Sequence, residues 1–369
     1  MGGTLILGES CIKIGSGATP RGGKESYLDS GPFTLVRSQN VYNHGFQFGG
    51  IAYISTDQAD KLSNVILEPL DVLINITGDS VARVCQVHTN ALPGRVNQHV
   101  AIIRPDPCVL DATFLRYWLV APSTQNLLLG LASAGATRPA LTKSMLEGLE
   151  VPAPPLKEQH TIANVLSALD DKIELNRRTS ETLEAMAQAT FKDWFVDFGP
   201  VRRKMQGETD PPAILGGLLP SRERATVLSH IFPNSLDGDG FPVGWKRGQL
   251  SDIAHSASNT VNPADIPSST PYIGLEHMPR RSIMLSNWGH SEAVTSNKTR
   301  FRKGQVLFGK LRPYFHKVGI AALDGVCSTD IVVLEATRAW DAAFVATCVS
   351  SDAFVAFPSV PISVRQPSG

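Results

Sequence analysis

Pro152-Ala-Pro-Pro-Leu-Lys-Glu-Gln-His160, running without a further glycine or proline to Phe191-Lys-Asp-Trp-Phe195, is the stretch that decides the fold. Pro152, Pro154 and Pro155 bar a helix upstream, and the tract after Lys157 is rich in Ala, Leu, Glu, Lys and Gln until Gly199. The reading is one proline-started helix over 152–195, on the order of 60 Å long at a rise of roughly 1.5 Å per residue. Positions 162, 166, 169, 173, 176, 180, 183, 187, 190 and 194 step by four and three, and Ile162, Leu166, Leu169, Ile173, Leu183 and Trp194 give that stripe a heptad seam. Asn176 and Ser180 make its middle polar: either a buried Asn fixes register, or this is a solvated stretch on a bent helix.

Outward from the helix, the two flanks repeat each other. Thr34-Leu-Val-Arg-Ser-Gln-Asn-Val41 pairs with Pro271-Tyr-Ile-Gly-Leu-Glu-His-Met278, and Leu70-Asp-Val-Leu-Ile-Asn75 with Lys303-Gly-Gln-Val-Leu-Phe308. Val96-Asn-Gln-His-Val-Ala-Ile-Ile103 pairs with Cys327-Ser-Thr-Asp-Ile-Val-Val-Leu334, and Asp111-Ala-Thr-Phe114 with Asp341-Ala-Ala-Phe344. The offsets fall from 237 through 233 and 231 to 230, in one order, which favours duplication. Each module reads as short β-branched strands followed by a helix, at 111–131 and 341–356. The expected fold is α+β, with two repeated domains of bent β-sheets separated by a long coiled-coil-type helix. The expected domains are 1–151, the helix at 152–198, a Pro/Gly-rich linker at 199–243 with at most a short helix at 221–230, and 244–369.

Composition sets wider bounds. The 369 residues are 42% hydrophobic and 18% charged, enough for two cores. The five cysteines form no CxxC pair, so neither a zinc site nor a disulfide framework is indicated. No apolar run approaches bilayer length and no signal peptide precedes Thr4-Leu-Ile-Leu7, so the expected location is cytoplasmic. Net charge is zero, but Trp245–Lys317 holds eleven Lys or Arg against four Asp or Glu. Lys298, Arg300, Arg302, Lys303, Lys310, Arg312 and Lys317 supply a density suited to phosphate contacts.

Three catalytic signatures fail on inspection. Gly304-Gln-Val-Leu-Phe-Gly-Lys310 has the spacing of a phosphate loop, but Leu311 stands where the magnesium-holding hydroxyl belongs. Asp210-Pro-Pro-Ala213 lacks the aromatic residue that would stack on an extruded base. Gly15-Ser-Gly17 has Pro20 at the third glycine position of a dinucleotide loop, and the nine His show no metal spacing.

Several segments resemble a known family, the DNA-specificity subunit of type I restriction-modification enzymes. They are Val151-Pro-Ala-Pro-Pro-Leu-Lys-Glu-Gln159 with Ile162-Ala163 and Leu169-Asp-Asp-Lys-Ile173, the helix end Thr190-Phe-Lys-Asp-Trp-Phe195, and Phe241-Pro-Val-Gly-Trp245. The resemblance implies two target recognition domains, each reading one half of an interrupted duplex DNA site, with helices that set the gap and dock two methyltransferase subunits. It implies a partner that binds S-adenosylmethionine and methylates adenine, a motor and nuclease restriction subunit, and no chemistry or cofactor in this chain. After Arg365-Gln366-Pro367, which resembles Thr137-Arg138-Pro139, the sequence ends at Gly369, where the family pattern continues to a second proline-started helix. The expectation is a C-terminally incomplete second domain: a truncated product or fragment, or a chain that a second polypeptide completes.

Base edges present donors and acceptors that Arg, Lys, Gln, Asn, Glu and Thr can pair. The candidate DNA-binding residues in the first module are Arg37, Gln39, Asn40, Thr77, Asp79, Arg83, Asn97, Gln98, Thr137 and Arg138. In the second they are Glu276, His277, Lys310, Arg312, Tyr314, Lys317, Arg365 and Gln366, with Lys310–Tyr314 the strongest single loop. Two rival readings remain: a scaffold that binds the methyltransferase without selecting DNA, and a stand-alone nucleotide hydrolase.

Overall fold

The computed structural model describes residues 3–20, 22–133, 138–219, 221–246, 248–293, 295–311 and 313–355. They form two compact units, 1–173 and 174–369, whose border falls inside one long helix.

In the first unit six strands carry the module: β1 (Cys11–Ser16), β2 (Phe33–Val36), β3 (Val72–Asn75), β4 (Val84–Gln86), β5 (Gly94–Val96) and β6 (Val100–Pro105). An antiparallel sheet has the order β1-β6-β3-β4, and β2 pairs in parallel with β5 in a second, smaller sheet. Because side chains alternate across a strand, the buried β3 feeds two cores. Val72 and Ile74 join Val84, Ala101, Ile103, Leu115 and Leu119 on one face, while Leu73 joins Cys85, Val100 and Ile102 on the other. Each such side chain contributes roughly 1.5–3 kcal/mol by leaving water, and Ile74→Ala would cost about 2–5 kcal/mol through the cavity it leaves.

Helix α1 (Ala112–Val120) covers the first core with Phe114, Leu115 and Leu119, and the Asp111 carboxylate caps it by accepting from the Phe114 N–H at 2.7 Å. The single helix expected over 111–131 is two. Ala121 turns extended ahead of Pro122, and α2 (Pro122–Ser133) starts afresh with proline in its first turn.

Helix α3 (Leu156–Phe191) is the continuous rod anticipated, closed by a π turn at Lys192–Val196. It starts later than expected, because Glu150–Ala153 is a strand paired antiparallel with Gly3–Ile6. Gln159 shows why the start has its sequence. It is 1% exposed, its Oε1 accepts from the Asp111 N–H at 2.8 Å, and its Nε2 donates to the Pro154 carbonyl at 2.9 Å. Ala163 packs into the same core, and the Asp170 carboxylate accepts from Arg116 at 2.6 Å and from the Tyr117 hydroxyl at 2.9 Å.

Past the unit border, Glu184 accepts from the Ile283 N–H at 2.6 Å, Gln188 donates to Ser350 Oγ at 2.6 Å, and Phe191 and Phe195 pack on Phe344. The helix thus packs through 159, 163 and 170 in the first unit and through 184, 188, 191 and 195 in the second, rather than through the expected seam. Ile162 is 40% exposed, Leu169 57%, Ile173 66% and Leu183 60%; of the named seam residues only Trp194 joins a core. At the border itself Glu174 is held by Arg177 and Arg178, which lower its carboxyl to about 2.

The tract expected to be a linker is packed instead. Helices α4 (Gly199–Met205), α5 (Pro211–Ile214) and α6 (Arg222–Ser229) bury Val201, Ile214, Leu215, Ala225 and Phe232 against Trp194, Phe198 and Trp245. The prolines that suggested a linker sit in helix first turns, where a missing N–H costs nothing, at Pro200, Pro211 and Pro212.

The second module repeats the first strand for strand: β7 (Ala254–Ser256), β8 (Pro271–Ile273), β9 (Val306–Gly309), β10 (Val318–Ile320), β11 (Gly325–Cys327) and β12 (Ile331–Ala336). Its sheet order is β7-β12-β9-β10, β8 runs parallel to β11, and α7 (Ala342–Ser350) stands where α1 stands in the first. The pairing of Val100 with Asn75 and of Ile331 with Gly309 sets the offset across this strand at 234, one residue from the 233 expected. Two left-handed backbone positions agree with it. Leu70 (φ 68°) matches Gly304 (φ 87°), and Ala82 (φ 67°) matches His316 (φ 50°).

Candidate nucleic-acid interface

The C-terminal end of β3 is a meeting point in the first module. Asn75, its last residue, donates from Nδ2 to the Ser38 carbonyl at 2.9 Å, tying the strand to the turn after β2. Just beyond, the Ile76 N–H bonds the His99 carbonyl at 2.9 Å, and the Thr77 hydroxyl lies 2.6 Å from His99 Nδ1. Residues 76–78 are also pinned to 139–141, by Gly78 N–H to the Pro139 carbonyl at 3.2 Å and Leu141 N–H to the Ile76 carbonyl at 2.8 Å. Segments 37–40, 76–83, 97–99 and 138–141, each carrying expected site residues, thus converge at one end of one sheet.

Within that cluster the side chains do different jobs. Arg37 lies over the Tyr27 ring at 5.2 Å and donates to the Gly50 carbonyl, while the exposed Gln39 donates to the same carbonyl at 2.9 Å. Arg83 stacks on Tyr42 at 4.6 Å, which fixes a planar guanidinium by its face. Asp79 and Arg138 are exposed, and Gln98 is half-buried with its Nε2 2.9 Å from His99 Nε2.

Asn40 and Asn97 leave the set of groups able to meet a ligand. Asn40 is fully buried, its Oδ1 accepting from the Arg37 N–H at 3.0 Å and its Nδ2 donating to the Gln47 carbonyl at 2.8 Å. Asn97 is 5% exposed and its Oδ1 accepts from the His99 N–H at 3.0 Å. Both close turns by bonding their own backbone.

The equivalent place in the second module is built from residues 274–278, 310–317 and 328–330. Lys310 N–H bonds the Asp330 carbonyl at 2.8 Å, as Ile76 bonds His99, and Ser328 N–H bonds the Ile273 carbonyl at 3.0 Å, as Asn97 bonds Val36. His277 repeats the turn-closing role of Asn40, its Nδ1 accepting from the Gly274 N–H at 2.9 Å. Lys317 also turns inward, its ammonium donating to the Leu275 carbonyl. Glu276, Lys310 and Tyr314 remain exposed. Thr137, Arg312, Arg365 and Gln366 lie outside the described residues.

The basic run divides. Arg302 and Lys303 precede β9 and Lys310 follows it, at opposite ends of a four-residue strand roughly 13 Å long at about 3.3 Å per residue. Lys298 is 7% exposed, with its ammonium bonded to Ser296 Oγ at 2.7 Å. The sequence cluster is therefore not one patch.

His99 was missed by the sequence reading, although it stands beside Gln98 in the repeated segment; nothing in the pattern marks a histidine whose two ring nitrogens are both engaged. The phosphate-loop spacing falls on β9, whose four residues are all buried, as its repeat counterpart requires. Asp210 stands at the N-cap position of α5 without a capping bond from its side chain, and pairs with Arg222 at 2.7 Å. Among the described residues no group of three or more His, Cys, Asp or Glu is placed to hold a metal ion, and no helix is long and apolar enough to cross a membrane.

Residues 12–185 match the model of a family described as the type I restriction modification DNA specificity domain. The chain is 30% identical over 239 residues to the type I restriction enzyme HindI specificity subunit of Haemophilus influenzae, covering 55% of this chain and 52% of that one. It is 25% identical over 243 residues to the EcoDI specificity subunit of Escherichia coli, covering 64% and 52%. The chain thus spans about half the length of these curated relatives. Among solved structures, the S subunit of a type I restriction-modification system from M. genitalium aligns over 94% of this chain and 75% of its own, with a TM-score of 0.48 and 16% identity.

Proposed function

We propose that this chain, which is similar to the type I restriction-modification DNA-specificity family, is a member of it, that its two modules read the halves of a bipartite duplex DNA target and that it carries no reactive centre of its own. The observation that carries this is the convergence of four polar segments at the end of β3, with three matching segments converging at the end of β9 among the described residues. Exposed Gln39 and Glu276 occupy equivalent sites there and present acceptor or amide edges, while Arg138 and Lys310 supply cations for backbone phosphates. Domains at 1–151 and 244–369 would flank a helix that sets the gap, with the helical core at 199–243 bracing the second.

The partners follow from the same reading: methyltransferase subunits that bind S-adenosylmethionine and extrude the target base, and a motor and nuclease subunit that joins them, in the cytoplasm. The exposed stripe of Ile162, Leu169, Ile173 and Leu183 would be covered by a second polypeptide supplying a matching helix. Sedimentation of the purified chain tests that part. Self-association abolished by Leu169→Glu with Ile173→Glu supports it, and a monodisperse monomer of the unaltered chain removes it.

DNA reading is tested by selecting a randomised duplex library on the full chain together with its methyltransferase. Two short conserved blocks separated by a fixed gap are expected. Retention of the methyltransferase with no enriched sequence would favour the scaffold reading, and turnover of a nucleotide by the chain alone would refute the noncatalytic assignment.

A further inference from the structure

Three buried side-chain polar atoms lack a hydrogen-bond partner among the described residues: Arg37 Nε, Asn75 Oδ1 and Gln98 Oε1. All three belong to the segments that meet at the end of β3. Buried polar groups are normally paired, so such a concentration marks a place where pairing is left for something else.

The bonds around His99 have a direction. Gln98 Nε2 lies 2.9 Å from His99 Nε2, and an amide nitrogen can only donate, so that ring nitrogen accepts. The ring proton then sits on Nδ1, which donates to the Thr77 hydroxyl oxygen 2.6 Å away. Thr77 keeps its own hydroxyl hydrogen free, with no second partner for that hydroxyl among the described residues. Reversing the Gln98 amide would reverse the chain and place an NH2 group where Oε1 now lies unpaired. An orphaned buried donor is the rarer and costlier arrangement, which selects the direction described.

We propose that Gln98, His99 and Thr77 form a hydrogen-bond relay that aims a hydroxyl donor at a base edge in the major groove, making Thr77 a specificity-determining residue of the first half-site and His99 its positioning residue. This rests on the DNA-reading function above. The hydroxyl hydrogen pairs with guanine O6 or N7, adenine N7 or thymine O4; opposite cytosine, whose major-groove group is the N4 donor, the hydroxyl could only accept through its remaining lone pair and its hydrogen would be left unpaired. The second module lacks the relay, since Leu311, Thr329 and Asp330 stand at the positions of Thr77, Gln98 and His99.

The test uses the full chain with its methyltransferase and a randomised duplex library. The unaltered chain should reject cytosine at one position of the first half-site by about tenfold. Thr77→Val, which keeps the shape and removes the donor, should flatten that position alone, and Thr77→Ser should restore it. His99→Ala should weaken the same position without touching the second half-site. A Thr77→Val profile identical to the unaltered one, or one flattened throughout, overturns the proposal. An unaltered chain that enriches nothing overturns the DNA-reading function itself, a distinguishable failure. Independently of DNA, long-range proton–nitrogen spectra should show His99 protonated on Nδ1, and a proton on Nε2 alone would reverse the relay and sink the assignment.

Discussion

The ends of β3 and β9 have the same backbone and different contents, and the contrast separates what a duplicated fold must keep from what it can vary. In the first module Asn75 bonds the Ser38 carbonyl. In the second, Gly309 takes the place of Asn75, and the equivalent carbonyl, on Leu275, is bonded by the Lys317 ammonium from just before β10. A Cβ on Gly309 would lie 2.9 Å from Leu275 Cδ2 and 3.2 Å from Lys317 Cβ, so the glycine makes room for the lysine. In both modules that carbonyl already accepts from a backbone N–H of its own turn, Val41 in the first and Met278 in the second, and two unrelated side chains supply its second donor. Recurrence of a polar residue across the repeat is thus a mark of turn closure as much as of ligand contact, as Asn40 and His277 show.

The contrast can be broken most forcefully at Asn75. Asn75→Ala removes a buried donor and cuts the tie between β3 and the Ser38 carbonyl, which keeps its bond from the Val41 N–H, and should lower unfolding free energy by about 1–3 kcal/mol in urea titrations; a change below measurement error would show that the tie is ornamental. Gly309→Ala should cost about 1–3 kcal/mol by overpacking, in the second module only, as read by hydrogen exchange across β9. Lys317→Met should cost about 1 kcal/mol yet leave the salt dependence of DNA binding unchanged, whereas Lys310→Ala should shallow that slope by about one phosphate contact. Equal salt slopes for the two variants would contradict the inward placement of Lys317.

The smallest effect concerns how closed the two cores are. Burial pushes both the Cys85 and Cys327 thiols from 9.0 up to about 12, while Cys108 is exposed. A raised thiol pKa withholds the reactive thiolate until pH climbs toward that value. At pH 8, iodoacetamide should label Cys108 and spare Cys85 and Cys327, as peptide mapping would show, and rapid labelling of either buried thiol would mean that its module opens.

Much of this was legible beforehand because it rests on local chemistry. The absence of glycine and proline from 156 to 191 predicts a helix, and the ordered offsets predict two modules of one topology. The linker at 199–243 was misread because composition cannot distinguish prolines that break structure from prolines that begin helices. The basic run was misread because neighbours in sequence lie at opposite ends of a strand.

The sequence by itself determined the elements and their order, since helix propensity, strand alternation and a duplicated pattern act within a few residues of the chain. Tertiary structure alone decided which residues of α3 pack within each unit, which candidate polar groups turn inward, and that His99 stands between Gln98 and Thr77. Those outcomes depend on hydrogen bonds and packing between segments tens of residues apart, where a rotation of one helical position or one strand register changes which side chain is exposed.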